Sequence, residues 1–126
     1  MTVDALPSLR TEYPFTLPRG FVDEHGRVHT AGRMRLATAK DELTAQAEPH
    51  VRQDPAYLSV YLLMRTITAL GSVPAVDRFV IEHLFASDLA FLQDLYRRIN
   101  QQGHTEAEVN CPECGHGFLV DVAGSA

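Results

Sequence analysis

Cysteine is scarce: the chain has two in 126 residues, both in one short motif. That excludes a disulfide framework and leaves metal binding, a redox pair or a plain turn as readings of the pair. Basic charge is in deficit too, with 11 Lys and Arg against 16 Asp and Glu and a formal net charge of −5. A nucleic-acid binder needs a dense basic face to release counterions from phosphates. The only local basic runs are Arg33 with Arg35 and Arg97 with Arg98, and solvated surface accounts for both. Nucleic acid is therefore not an expected partner. Long apolar runs are missing as well. Residues 56–64 are broken by Ser59 and closed by Arg65, well short of the roughly 20 residues of a bilayer span. Residues 1–18 lack a basic stretch followed by an apolar one, so no secretory signal and no membrane partner are expected. The expected location is the cytoplasm, with a larger particle as a further destination.

Catalytic signatures are absent too. The chain has no Gly-x-Ser-x-Gly elbow, no phosphate loop, no dinucleotide glycine fingerprint and no His-Glu-x-x-His. Asp23-Glu24-His25 is a compact polar cluster, but it falls on an expected hairpin turn where water would solvate it. General acid–base work needs a shielded pocket. No enzyme activity and no catalytic residue are expected. There is no internal repeat, and no linker long enough to divide the chain.

What is present suffices for one domain. A 45% hydrophobic content is ordinary for a packed core, and at this length about two-thirds of the unfolded surface can be buried without disulfides. Residues 1–14, with Pro7 and Pro14, read as an extended or disordered arm. Residues 15–126 read as a single α+β domain in three parts. Residues 15–36 form a small β-hairpin or meander, turning at Asp23 to Gly26, where glycine accepts positive φ. Residues 38–102 are a bundle of about four helices. Thr38 caps the first, and Asp54-Pro55 opens a second that runs to Leu70 and stops at Gly71. Pro74 opens a third, and Ser87 caps a fourth with an apolar stripe of Leu89, Leu92, Leu95, Tyr96 and Ile99. That stripe reads as core. Residues 104–122 form a zinc-ribbon-like β-hairpin around Cys111-Pro112-Glu113-Cys114-Gly115.

The Cys-Pro-x-Cys turn is the one chemical motif. Two thiolates three residues apart can reach one tetrahedral ion, and the turn amides can donate to the sulfurs. Zinc takes four ligands and the chain supplies two cysteines. His116, close after the turn, and His104, at the base of the incoming strand, are the candidates to complete the site within the chain. Sharing of the ion between two chains or with a partner is a third possibility, and a metal-free turn a fourth. A redox pair is disfavoured because the motif does not open a helix. His25, His29, His50 and His83 read as surface or edge residues.

Taken in order, several segments carry a resemblance. They are Leu17-Pro18-Arg19-Gly20-Phe21-Val22-Asp23 with Gly26, and Met34-Arg35-Leu36-Ala37-Thr38 with Asp41-Glu42. Phe85-Ala86-Ser87-Asp88-Leu89-Ala90-Phe91-Leu92 and Tyr96-Arg97-Arg98-Ile99-Asn100 follow, then the cysteine turn and Val120-Asp121-Val122. Over about residues 15–122 the chain resembles the small phage tail assembly proteins of phage-tail-like gene clusters, including bacterial contractile injection systems. Its C-terminal half is similar to the baseplate-hub assembly proteins of contractile-tailed phages. The resemblance implies a non-enzymatic accessory that binds a hub, baseplate or tape-measure protein, as a departing chaperone or a retained component, with oligomer formation open. It carries over Cys111 and Cys114 as metal or turn residues, and Asp88 and Arg97 as recurrent positions of the preceding helix. The alternative is a small zinc-ribbon regulator that binds nucleic acid or the transcription machinery. Against it stand Glu106, Glu108, Glu113 and Asp121 around the turn, where a DNA-binding ribbon carries Lys and Arg.

Overall fold

In the computed structural model, which describes residues 11–101 and 106–123, two long strands open the fold. β1 (Glu12–Val22) and β2 (Val28–Arg35) pair antiparallel around a turn at Asp23 to Arg27. Tyr13, Phe15 and Leu17 alternate inward on β1, as a half-buried strand requires. Residues 12–14, read from sequence as part of the arm, belong to this strand. Tyr13 and Phe15 bury more apolar surface in the sheet than an arm would, and Pro14 sits at an edge position paired with Arg33. Residues 1–10 lie outside the described part.

The third strand of the sheet comes from a segment that reads as helix in the sequence. The helix begun at Pro55 as a 3₁₀ turn (Pro55–Tyr57) continues as α3 (Leu58–Thr66) and then straightens into β3 (Ile67–Leu70), which pairs antiparallel with β2. Thr66 ends the helix with its hydroxyl donating to the Leu62 carbonyl. Ile67 and Thr68 are β-branched residues that suit a pleated edge. A helical reading to Leu70 missed this because Ile67 and Leu70, three residues apart, share a helical face, whereas a regular strand would point them to opposite sides; a register shift against β2 between Arg33 and Met34 intervenes here. Both are buried as strand residues.

α1 (Ala39–Ala47) opens with Thr38 and Asp41 in a reciprocal capping box. α2 (Pro49–Gln53) is short. α4 (Arg78–Glu82) starts four residues later than Pro74 suggested, because the Asp77 carboxylate caps it by accepting the Val80 amide at 3.0 Å. α5 (Ala86–Gln101) is already helical at Ser87, which is therefore not its cap. Its Leu92, Leu95 and Ile99 are buried, as the stripe predicted. They pack with Phe15, Met34, Leu63 and Leu70 in the main core. No described helix is long and apolar enough to cross a membrane.

β4 (Glu106–Asn110) and β5 (Gly117–Asp121) form the expected antiparallel hairpin. Its base is tied to the rest of the fold: the Thr16 amide of β1 donates to the Ala123 carbonyl at 3.0 Å, and Ala123 is buried in the core. The architecture is thus a three-stranded sheet in the order β1-β2-β3, five helices among the described residues, and a separate two-stranded hairpin.

Candidate functional site

The turn of the β1–β2 hairpin and the segment joining β3 to α4 come together beside α4. Asp23 organises the turn. Its Oδ1 accepts the amides of His25 and Arg27, each at 2.9 Å, and its Oδ2 meets Arg27 Nε at 3.0 Å and His29 Nε2 at 2.9 Å. His29 is only 7% exposed, which corrects its reading as a surface or edge residue. Its Nδ1 accepts the Ser72 amide at 3.3 Å. An amide only donates, so Nε2 carries the ring proton and gives it to Asp23. The His29 ring, followed by the amides of Arg27 and His25, outweighs partial burial and holds the Asp23 carboxyl well below the usual carboxylate range. Gly71, at φ +53°, leaves room for His29 beside the backbone: a Cβ there would lie 2.7 Å from His29 Cβ. The cluster is a latch between hairpin and loop. Every polar atom of the His29 ring and the Asp23 carboxylate is engaged in holding it.

Next to the latch lies an open groove of about 510 Å³, with Phe21, Val22, Val73, Pro74, Phe79 and Val80 among its lining residues. Phe79 is 61% exposed, and Val22 and Phe85 are also exposed. The Phe79 ring stacks on His83, one turn along α4, at a centroid distance of 4.0 Å and 24°. His83 Nδ1 lies 2.8 Å from the Phe79 carbonyl, to which it donates. The charged side chains lining the groove are Asp23, Glu24 and Asp77, all acidic. Sequence reasoning placed Phe79 in the third helix, one of the expected contact surfaces, without separating its exposed residues from its buried ones, although a signal was there. Phe79, Val80, Ile81, Leu84 and Phe85 are more apolar side chains than one face of so short a helix can bury. Val80 and Ile81 face inward, leaving Phe79 outward.

The cysteines lie elsewhere, at the tip of the β4–β5 hairpin. The Cys111 amide donates to the His116 carbonyl and the Gly115 amide to the Cys111 carbonyl, both at 2.8 Å, closing a tight turn. The amides of Cys114 and Glu113 point at the Cys111 sulfur and hold its thiol below its usual value, with the Cys114 side chain adding to the effect. Cys111 is half-buried and Cys114 exposed, and both are free thiols. The His116 ring lies along Phe118, centroids 6.5 Å apart and 14° from parallel. His104 lies outside the described residues. Among the described residues, no three His, Cys, Asp or Glu side chains converge as a metal site.

The two positions carried over from the resemblance have structural roles. Asp88 is fully buried. It accepts the Arg19 amide at 2.9 Å and the Gly20 amide at 2.8 Å. Arg97 pairs on the surface with Asp94, which also binds Arg98 Nε at 2.7 Å. No family model, curated protein or solved structure matches the chain.

Proposed function

We propose that this chain is a non-enzymatic assembly protein of a phage-tail-like contractile particle, binding a hub, baseplate or tape-measure component through the groove beside α4. The observation that carries the docking part is the exposed Phe79 on the rim of an apolar groove with only acidic charges in its lining. Contiguous exposed apolar surface edged by polar groups favours a partner. Aromatic residues in such settings contribute disproportionately to binding. The charge complement of Glu24 and Asp77 is a partner segment of apolar residues flanked by Lys or Arg. The particle itself is suggested by the resemblance of residues 15–122 to tail assembly proteins.

The test is affinity capture of the tagged chain from its native cells, together with mass spectrometry of purified tail-like particles. Recovery with hub, baseplate or tape-measure proteins supports the reading. Presence in finished particles then makes the chain a component, and absence makes it a chaperone. Recovery with RNA polymerase and none of these proteins would replace the reading with the zinc-ribbon regulator.

A further inference from the structure

The β4–β5 hairpin carries its two thiols at its tip, far in sequence from anything that fixes its base. Residues 112–119 are all exposed, while the base is stitched to β1 through Ala123. The Cys111 amide donates to the His116 carbonyl and the Gly115 amide to the Cys111 carbonyl, both at 2.8 Å, so one tight turn carries both thiols, at the spacing from which two thiolates can reach one tetrahedral ion. Cys114, three residues on, is open to solvent. β5 beside the tip exposes Phe118 and Leu119, one on each face, the latter at 63%. Such a tip offers half of a tetrahedral thiolate site, next to apolar surface that nothing in the described residues covers.

We propose that two copies of this chain join tip to tip by sharing one zinc ion between Cys111 and Cys114 of each. A structural zinc ion takes four ligands, and thiolates satisfy it well. Two identical tips related by a two-fold axis supply four sulfurs, and this isologous arrangement closes without forming a fibre. Each thiol loses its proton as it binds, so four protons leave as one ion enters. The second copy is the favoured occupant because it brings the same two missing ligands and a matching Phe118 and Leu119. The groove beside α4 lies on other elements and takes no part, so this inference stands or falls apart from the docking reading.

The experiment uses the full chain, purified under reducing conditions and supplied with zinc alone. The expected result is about half a zinc per chain in a two-chain species by light scattering, reverting to single chains on chelation. Cobalt substituted for zinc should give the intense sulfur-to-metal absorption of four thiolates. Cys114→Ser should remove the bound metal and the two-chain species while leaving the helical circular dichroism unchanged. One zinc per single chain would overturn the proposal, and loss of that zinc in His104→Ala would place the completing ligand within the chain. A metal-free single chain at micromolar zinc, a two-thiolate cobalt spectrum, or a two-chain species that survives chelation would overturn it equally.

Discussion

The Oδ2 of Asp88 accepts the backbone amide of Gly20 at 2.8 Å, across 68 residues of sequence. β1 makes this possible by bulging. Between the Thr16–Ala31 and Phe21–His29 pairs it uses residues 17–20 where β2 uses Thr30 alone. The extra residues turn the amides of Arg19 and Gly20 inward, toward the first turn of α5. Gly20 sits at φ +102°, and a Cβ there would lie 2.6 Å from Val28 Cγ1, so only glycine fits the bulge without strain. Asp88→Asn would present an amide NH₂ to one of these donors and leave it unsatisfied in a fully buried site. The expected loss is about 2–3 kcal/mol of unfolding free energy, read as a lower urea midpoint with unchanged slope. A midpoint equal to that of the parent would show that the carboxylate does not hold the bulge to α5.

A second carboxylate ties the sheet to the helices. Asp41 is 2% exposed and takes both guanidinium nitrogens of Arg35, at 2.7 and 3.0 Å, and Nε of Arg65 at 2.9 Å. Arg35 first, then the Thr38 amide and Arg65, hold its carboxyl well below the usual range against the cost of burial. A depressed folded value means that stability is fully present above the unfolded carboxylate pKa of about 4 and is lost as the pH falls toward the folded value. Asp23 is depressed in the same sense. Unfolding free energy should therefore be insensitive to these two groups at neutral pH and fall steadily below about pH 4. Asp41→Asn should cost about 2 kcal/mol at neutral pH, the scale of hydrogen bonds to charged groups, and flatten the acid limb. Urea titrations at several pH values check both, and an acid limb as steep as that of the parent would remove Asp41 from the explanation.

The latch makes a prediction about backbone rather than charge. Gly71→Ala forces a Cβ against His29 at a residue with φ +53°. The ring must move, and with it the contacts to Asp23 and the Ser72 amide. A loss of about 1–3 kcal/mol is expected. Because Asp23 would lose its largest stabilising partner, its carboxyl should rise toward the ordinary range, which NMR titration of that side chain would detect. An unchanged Asp23 titration in Gly71→Ala would mean that the ring does not depend on this glycine.

How much of this was legible in the sequence follows from the range of the interactions involved. The capping of α1 by Thr38 and the turn at Asp23 to Gly26 depend on residues within five positions of one another, and both were readable. The Leu92, Leu95 and Ile99 stripe was readable because a core face repeats. The roles of Asp88 and His29 depend on partners 68 and 43 residues away, and no local pattern announces them. An acid in a first helical turn looks the same whether it faces water or a bulge. β3 was hidden because Ile67 and Leu70, three apart, continue a helical face, and only a register shift against β2 buries both in the strand. The cysteine turn was visible because its five residues are contiguous; what completes a metal site around two thiols is not a local property of the chain.

Phe79 separates binding from folding. Its side chain is largely exposed, whereas its neighbour Val80 is buried in the core. Phe79→Ala should therefore change unfolding free energy by no more than about 0.5 kcal/mol, while Val80→Ala should cost about 1–3 kcal/mol. If the groove docks the partner component, Phe79→Ala should weaken capture of that component by about tenfold or more. Val80→Ala should weaken it only to the extent that the chain unfolds. Phe79→Glu should bind more weakly still to an apolar segment, because it puts a charge where that segment would be desolvated. Equal capture by parent and Phe79→Ala, at equal folded concentration, would move the docking surface away from α4. The zinc content and chain mass of the same variant would be unaffected in either case, since Cys111 and Cys114 lie on the separate hairpin.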